Sequence, residues 1–195
     1  MGFVLVAYYT ANSIYKDSAM LLLDAARKLG ILAYAEEIPD QGGWCENTNY
    51  KPQFIKKCMN MFPDYSIAYT DADSMIHSYP TLFDSTNANI LIRCQNFPHR
   101  KNEFMSGTFL IRNNQECRNI VESWINKVES NVTTRENPMS WEQYRFGEAI
   151  LESGIAWSQL PHDYIYFDHI ERAEGKVESP VITHMQYSRR LKHAK

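Results

Sequence analysis

The chain of 195 residues has 44% hydrophobic and 22% charged residues, a balance typical of one globular domain. Its formal net charge of −3 argues against a nucleic-acid partner, because no overall basic field exists to gather polyanions. No run approaches the roughly 18 apolar residues of a membrane span, and the first residues lack a signal-peptide pattern. The four cysteines have no C-x-x-C spacing. We therefore expect a single soluble, cytoplasmic domain over 1–195 without an integral membrane segment.

The first third of the chain alternates between predicted strands and helices. The elements in chain order are "FVLVAYY" (strand), "SIYKDSAMLLLDAARKLG" (helix), "ILAYAEEIP" (strand), "KPQFIKKCMNMF" (helix) and "YSIAYTDAD" (strand). Gly30 stands where a left-handed residue ends a helix. This order predicts an α/β doubly wound sheet, with ligands bound outside the carboxyl ends of its strands.

The remainder of the chain is more mixed. "DQGGWCENTN", residues 40–49, is rich in turn residues and is predicted to be an ordered but mobile loop. Beyond residue 85 we expect strands in "ANILIRC", "FMSGTFLIR", "IAWSQLP", "YIYFD" and "SPVITHM". Two amphipathic helices are predicted, in "NQECRNIVESWINKVES" and in "MSWEQYRFGEAILESG", which ends at Gly154.

Two carboxylates follow the third predicted strand directly, in "IAYTDADSMIHS". Asp71 and Asp73 are two positions apart, so in extended chain their side chains point to the same side. Mg²⁺ and Mn²⁺ are commonly held by one or two carboxylates, with other positions filled by water and phosphate oxygens. The pair therefore predicts a divalent cation beside a phosphorylated substrate. The alternative is that Asp71 caps a turn and Asp73 is solvated.

These residues stand within a wider pattern. "YTDADS", preceded by "YKPQFIKKCMNMFPDYSIAY" and followed by "FMSGTFLIRNN", "SWEQYRFGEAI" and "ITHMQYSRR", resembles the nucleotide-diphospho-sugar glycosyltransferases of the GT-A fold, which include small viral members. The similarity extends over roughly residues 3–190. It implies a Rossmann-like domain with a mixed, mostly parallel central sheet flanked by helices. The donor-nucleotide half would be about 1–95 and the acceptor half about 96–195, and a viral member would act in the host cytoplasm.

The resemblance implies a Mn²⁺ or Mg²⁺ ion that bridges the donor diphosphate. Asp73 would be a direct ligand, and Asp71 would contact ribose, sugar or metal-bound water. His184 would be the third protein ligand; its alternatives are a hydrogen-bonded or a solvated side chain. Other residues would bind the base, ribose and diphosphate, and they are Tyr8, Tyr9, Thr10, Lys51, Arg189 and Arg190.

The resemblance also places residues around the sugar and the acceptor. Ser106 and Gly107 would lie on a strand facing the acceptor, since a strand glycine often marks the close approach of a ligand. Trp44 is a candidate for stacking on a sugar ring, as is Trp141, although a tryptophan is more often a core residue. Asp163 is a further candidate for acceptor contact.

The predicted reaction moves a sugar from a nucleoside-diphosphate sugar, by default a UDP-sugar, to a glycan or another hydroxyl acceptor. Glu142 stands where inverting relatives have a catalytic base, although the following Gln143 departs from their acidic pair and leaves retention open. The alternative for Glu142 is a helix N-terminal charge. The rival functions are a non-catalytic sugar-nucleotide or carbohydrate-binding module and a metal-dependent phosphoesterase or nucleotidyltransferase.

Overall fold

Nine strands and six helices build the part of the chain that the computed structural model describes, residues 2–97, 100–134, 136–167 and 177–187. The strands β1 to β9 are Phe3–Thr10, Ala33–Ile38, Ser66–Thr70, Ser74–Ile76, Ile90–Phe97, Arg100–Ile111, Trp157–Gln159, Tyr166–Phe167 and Ile182–His184. The helices α1 to α6 are Tyr15–Lys28, Trp44–Asn49, Lys51–Met61, Thr81–Ser85, Gln115–Glu129 and Glu142–Ser153. Within these residues, every helix is too short or too polar to traverse a lipid bilayer.

The central sheet has six strands in the order β2-β1-β3-β6-β5-β7. β1 runs parallel to β2 and β3, whereas β6 runs antiparallel to both β3 and β5. β7 returns parallel to β5 at the far edge. A second sheet has the order β4-β9-β8. In it, β9, the last described strand, pairs with β4, which follows β3 closely in the chain. The predicted mixed, mostly parallel α/β sheet is confirmed.

The burial of β1 explains why helices cover both faces of the sheet. Val4 and Val6 pack in one core cluster with side chains from α3, α5 and α6. Leu5 and Ala7 point to the opposite face and pack against α1 and α4. Because successive side chains of a strand alternate between faces, an unbroken apolar run requires two covered faces. This is the doubly wound arrangement that the sequence predicts.

Glycines end two helices as predicted. Gly30 follows α1 with φ of +72°, and Gly154 follows α6 with φ of +67°. These values lie in the left-handed region, which a residue with a Cβ adopts only at a cost. Each glycine therefore lets the chain reverse direction directly after its helix.

The prediction of a loop over 40–49 is wrong, because the second half of this stretch forms α2. Local polar side chains organise the turn that precedes the helix. Asp40 Oδ1 accepts hydrogen bonds from the Gly42 N–H (3.1 Å) and from Asn47 Nδ2 (2.9 Å), and Asn47 Oδ1 accepts one from the Gln41 N–H (2.8 Å). The same turn-favouring residues that predicted a loop thus close a turn onto a short helix.

Gly147 permits α6 to pack closely on β6. A Cβ at this position would lie 2.6 Å from Cδ2 of the buried Phe104. We expect Gly147→Ala to lower the free energy of unfolding by about 1–3 kcal/mol, because the clash outweighs the higher helix propensity of alanine. Urea denaturation measures the change, with Leu151→Ala on the exposed face of α6 as the control. Equal or greater stability of Gly147→Ala would contradict this close packing.

Candidate functional site

A cavity of about 520 Å³ opens at the carboxyl ends of β1 and β3, between α2, β6, the start of α6 and the end of β9. This is the position at which an open α/β sheet binds its ligands. It brings together most of the predicted site residues, namely Tyr8, Tyr9, Thr10, Trp44, Lys51, Asp71, Asp73, Ser106, Gly107, Trp141, Glu142 and His184.

Asp71, Asp73 and His184 form a cluster that can hold a metal ion. One ligand atom from each lies within 4.8 Å of the other two. The cluster arises because β9 pairs with β4 in a register that sets His184 opposite Ser74, directly after the two aspartates. The backbone N–H of Tyr187 donates to Asp73 Oδ2 (2.9 Å) and fixes the second carboxylate from the same segment. The alternative of a solvated Asp73 is wrong, since Asp73 is only 8% exposed.

Hydroxyl groups hold the ring of His184, which is 1% exposed. Nε2 lies 2.8 Å from Thr108 Oγ1, and Nδ1 lies 3.2 Å from Ser74 Oγ. Thr70 Oγ1 lies 2.9 Å from Ser74 Oγ and 3.0 Å from Thr108 Oγ1. A hydroxyl can donate or accept by rotation, so the ring is oriented without being fixed in one tautomer. Of the two non-ligand alternatives for His184, the solvated one is wrong, and the hydrogen-bonded one is compatible with a ligand nearby.

Gly107 leaves the room that a cation would need beside these ligands. A Cβ built on Gly107 would lie 3.1 Å from Asp71 Oδ2 and 3.1 Å from His184 Cε1. Two carboxylates and an imidazole are a donor set that suits Mn²⁺ or Mg²⁺ with further positions left for water and ligand oxygens. The residues present therefore fit a divalent cation.

The two aspartates repel one another when no cation is bound. Burial, and after it the negative charge of Asp71, raise the pKa of Asp73 to about 6. A divalent cation between the two carboxylates would offset both the desolvation and the repulsion. The electrostatics of the cluster thus agree with its geometry.

Lys51 lies beneath the cluster at the start of α3 and is 4% exposed. Its Nζ lies 2.7 Å from Glu142 Oε1 and 3.5 Å from Asp71 Oδ1. Burial alone would lower the pKa of Lys51, but the charges of Asp71 and Glu142 outweigh it and raise the pKa. Lys51 is therefore a buried cation with two carboxylate partners.

Glu142 is the first residue of α6 and is 4% exposed. Its Oε1 accepts hydrogen bonds from Lys51 Nζ (2.7 Å) and Ser106 Oγ (2.7 Å). Its Oε2 is buried and has no hydrogen-bond partner among the described protein atoms. One oxygen of this carboxylate is therefore anchored, and the other is buried without a hydrogen-bond partner among the described residues.

Aromatic side chains line the opposite part of the cavity. The hydroxyl of Tyr8 donates to the backbone carbonyl of Asn47 (2.8 Å), which ties β1 to α2. The indole rings of Trp44 and Trp141 meet edge to face, with centroids 5.1 Å apart. Both indoles are partly exposed, so neither belongs to the fully buried core.

Not every predicted residue comes to the cavity. Asp163 lies in a short 3₁₀ turn, His162–Tyr164, whose backbone accepts a hydrogen bond from the Val181 N–H (2.8 Å), and it does not line the cavity. This hydrogen bond connects the turn to the residue that precedes β9. Arg189 and Arg190 lie outside the described residues.

The sequence predictions missed several cavity residues, among them Tyr69, Glu103 and Gln143. The hydroxyl of Tyr69 donates to Asp71 Oδ1 (2.9 Å), and Gln143 Nε2 donates to Glu103 Oε1 (2.6 Å). The period of two in a strand was the available signal for Tyr69, which precedes Asp71 by two positions. Glu103 had no regular signal, because the register of β6 against β5 shifts between Met105 and Phe109. Gln143 had no such signal, since its position depends on where α6 begins.

Comparisons with known proteins indicate the family and the fold of this chain. The family model described as nucleotide-diphospho-sugar transferase matches residues 31–195. The chain belongs to the nucleotide-diphospho-sugar transferase family. Its structure is similar to the "crystal structure of a glycosyltransferase involved in the glycosylation of the major capsid of PBCV-1", with a TM-score of 0.74 and 13% sequence identity over 100% of this chain and 98% of that one. No curated protein matches the chain.

The family and the structural neighbour together confirm the GT-A fold that the sequence resemblance implied. Membership of a nucleotide-diphospho-sugar transferase family supports a nucleotide-sugar donor and a transferase activity. The roles of individual site residues remain predictions.

We expect Gly107→Ala to weaken Mn²⁺ binding about 10–100-fold, because the added methyl group would displace Asp71 and His184 from their positions. Titration calorimetry of the metal alone measures this affinity. Gly2→Ala is the matched control, since a Cβ there meets only Tyr65 at an ordinary 3.8 Å. Unchanged Mn²⁺ affinity in folded Gly107→Ala protein would show that the cation does not bind between these two side chains.

Proposed function

We propose that this protein is a metal-dependent glycosyltransferase that moves a sugar from a nucleoside-diphosphate sugar, by default a UDP-sugar, to a glycan or another hydroxyl acceptor. The observation that supports it most is the cluster of Asp71, Asp73 and His184 in the cavity at the carboxyl ends of β1 and β3. A cation there lies where an open α/β sheet would present the phosphates of a nucleotide. The nucleotide-diphospho-sugar transferase family supports a donor of this class.

The proposed donor lies along the carboxyl edge of the sheet. Tyr8, Tyr9 and Thr10, at the end of β1, would contact the base and ribose. Asp71, Asp73 and His184 would hold Mn²⁺ or Mg²⁺, which when bound would neutralise charge on the diphosphate. Arg189 and Arg190 stay proposed partners of the leaving diphosphate, because a guanidinium offers a planar fork to phosphate oxygens.

Glu142 is the proposed base for an inverting transfer. The acceptor hydroxyl would give its proton to Glu142 Oε2, and the acceptor oxygen would form a bond to the anomeric carbon of the sugar. The bond from that carbon to the diphosphate oxygen would break at the same time. The anchored Oε1 and the buried, unpartnered Oε2 support this role, because they fix the carboxylate with one basic oxygen in the cavity lining. Ser106, Gly107 and Trp44 would surround the transferred sugar and the acceptor.

Calorimetry with a panel of nucleoside-diphosphate sugars, first with Mn²⁺ and then with EDTA, tests the donor and the metal together. We expect one donor to bind and its binding to be lost on chelation. Asp73→Asn should slow transfer by roughly 10²–10⁴-fold, because Lewis-acid assistance is worth several kcal/mol and each 1.36 kcal/mol is tenfold. Asp163→Asn, away from the cavity, is the control.

Each rival function predicts a different result in these assays. An unchanged rate for Asp73→Asn at saturating Mn²⁺ would refute the metal assignment. Donor binding without hydrolysis or transfer would point to a binding module. Cleavage of phosphodiesters without any sugar transfer would point to a phosphoesterase.

Glu142→Gln tests the base independently of the metal. We expect transfer to slow by about 10²–10⁴-fold, because the amide cannot accept the acceptor proton, while donor affinity remains that of the wild type. Initial rates and calorimetry on the same preparation separate the two effects. Loss of donor binding in Glu142→Gln would assign this residue a structural role instead.

A further inference from the structure

The ammonium group of Lys51 donates hydrogen bonds to three acceptors within the protein. Its Nζ donates to Glu142 Oε1 (2.7 Å), to Ser106 Oγ (3.1 Å) and to the Ser106 carbonyl (3.2 Å). An ammonium has three N–H donors, and these three acceptors account for all of them. A donor diphosphate could therefore receive a hydrogen bond from Lys51 only if one of these buried contacts broke.

Breaking these contacts would be costly. Lys51 and Glu142 are both 4% exposed, and a buried charge that loses its partner pays its desolvation without compensation. The aromatic ring of Tyr69 also covers the ammonium, with Nζ 4.9 Å from the ring centroid. The surroundings of Lys51 thus favour a fixed internal ion pair over a side chain that moves to meet a ligand.

The effect of Lys51 on Glu142 differs from its effect on Asp71. For Glu142, Lys51 and Ser106 together anchor Oε1 and leave Oε2 unpartnered. For Asp71, the Lys51 contact is longer, at 3.5 Å, and Oδ1 also accepts a hydrogen bond from the Tyr69 hydroxyl (2.9 Å). Removal of Lys51 would therefore free Glu142 more than Asp71.

We infer that Lys51 is a positioning residue that orients Glu142 and does not contact the donor diphosphate. This inference rests on the proposed function, because it takes Glu142 as the base and a nucleoside diphosphate as the ligand. It departs from the donor contact that the family resemblance implies for Lys51. The ion pair joins the first turn of α3 to the first turn of α6, and Ser106 of β6 contacts both partners, so two other elements hold the carboxylate of Glu142.

The deciding comparison uses a charge-matched double variant, Lys51→Met/Glu142→Gln. It removes one positive and one negative charge, so its net charge equals that of the wild type. It also leaves no unpaired charge at either position, which protects folding where Lys51→Met alone would strand Glu142. With saturating Mn²⁺, we expect the affinity for UDP to stay within about threefold of the wild type. A loss of tenfold or more would show that Lys51 contacts the diphosphate and would overturn the inference.

The rate of UDP release, kcat, is a second measurement that tests whether Lys51 acts through Glu142. The release of UDP from a bound UDP-sugar is compared in Glu142→Gln and in the double variant. If Lys51 acts through Glu142, its removal costs less than about threefold in kcat once Glu142 has been replaced. A further loss of tenfold or more in the double variant would mean that Lys51 acts on the leaving group, which overturns the inference.

The wild type distinguishes failure of this inference from failure of the proposed function. Wild-type protein that binds no UDP in the presence of Mn²⁺ would overturn the proposed UDP donor, and the role of Lys51 would fall with it. Wild-type binding together with a tenfold weaker double variant would overturn the role of Lys51 alone. Folding of each variant is checked by thermal unfolding before the titration.

Discussion

The concentration of negative charge at one edge of the sheet is the constraint on which this site depends. Asp71, Asp73 and Glu142 border one cavity, and one lysine, Lys51, lies between two of them. Carboxylates at such close range cannot all stay ionised without nearby positive charge. Lys51 supplies part of it within the protein, and a divalent cation would supply the rest. The fold thus tolerates an arrangement that would be unfavourable without ligand.

Much of the fold followed from local patterns in the sequence. The apolar run of β1, the position of Asp71 and Asp73 after β3, and the glycines after α1 and α6 each report on their own neighbourhood. Burial on both faces, strand ends and left-handed residues are properties of a few adjacent residues. The parallel edge and its carboxylates could therefore be placed without knowledge of the rest of the chain.

The side-chain contacts between distant parts of the chain could not be predicted in the same way. The ion pair of Lys51 and Glu142 joins residues 91 positions apart, and the contact of Thr108 with His184 spans 76. Such contacts depend on strand order and register, which a single sequence does not specify. The same limit explains Asp163, whose residue type suited a site although its backbone instead supports the second sheet.

The direction of β6 has a consequence for how this fold could diversify. Thr108 pairs with Thr70, the last residue of β3, so the preceding part of β6 extends beyond the end of its neighbour. Because β6 is antiparallel to β3, its residues before Thr108 lie beyond the carboxyl end of β3. Among the described strands, this part of β6 pairs only with β5. Glu103 and Met105 thus line the cavity on a stretch that does not pair with β3, the strand that leads to Asp71 and Asp73. Substitutions there would change the lining of the cavity while β3 and its aspartates remain in place.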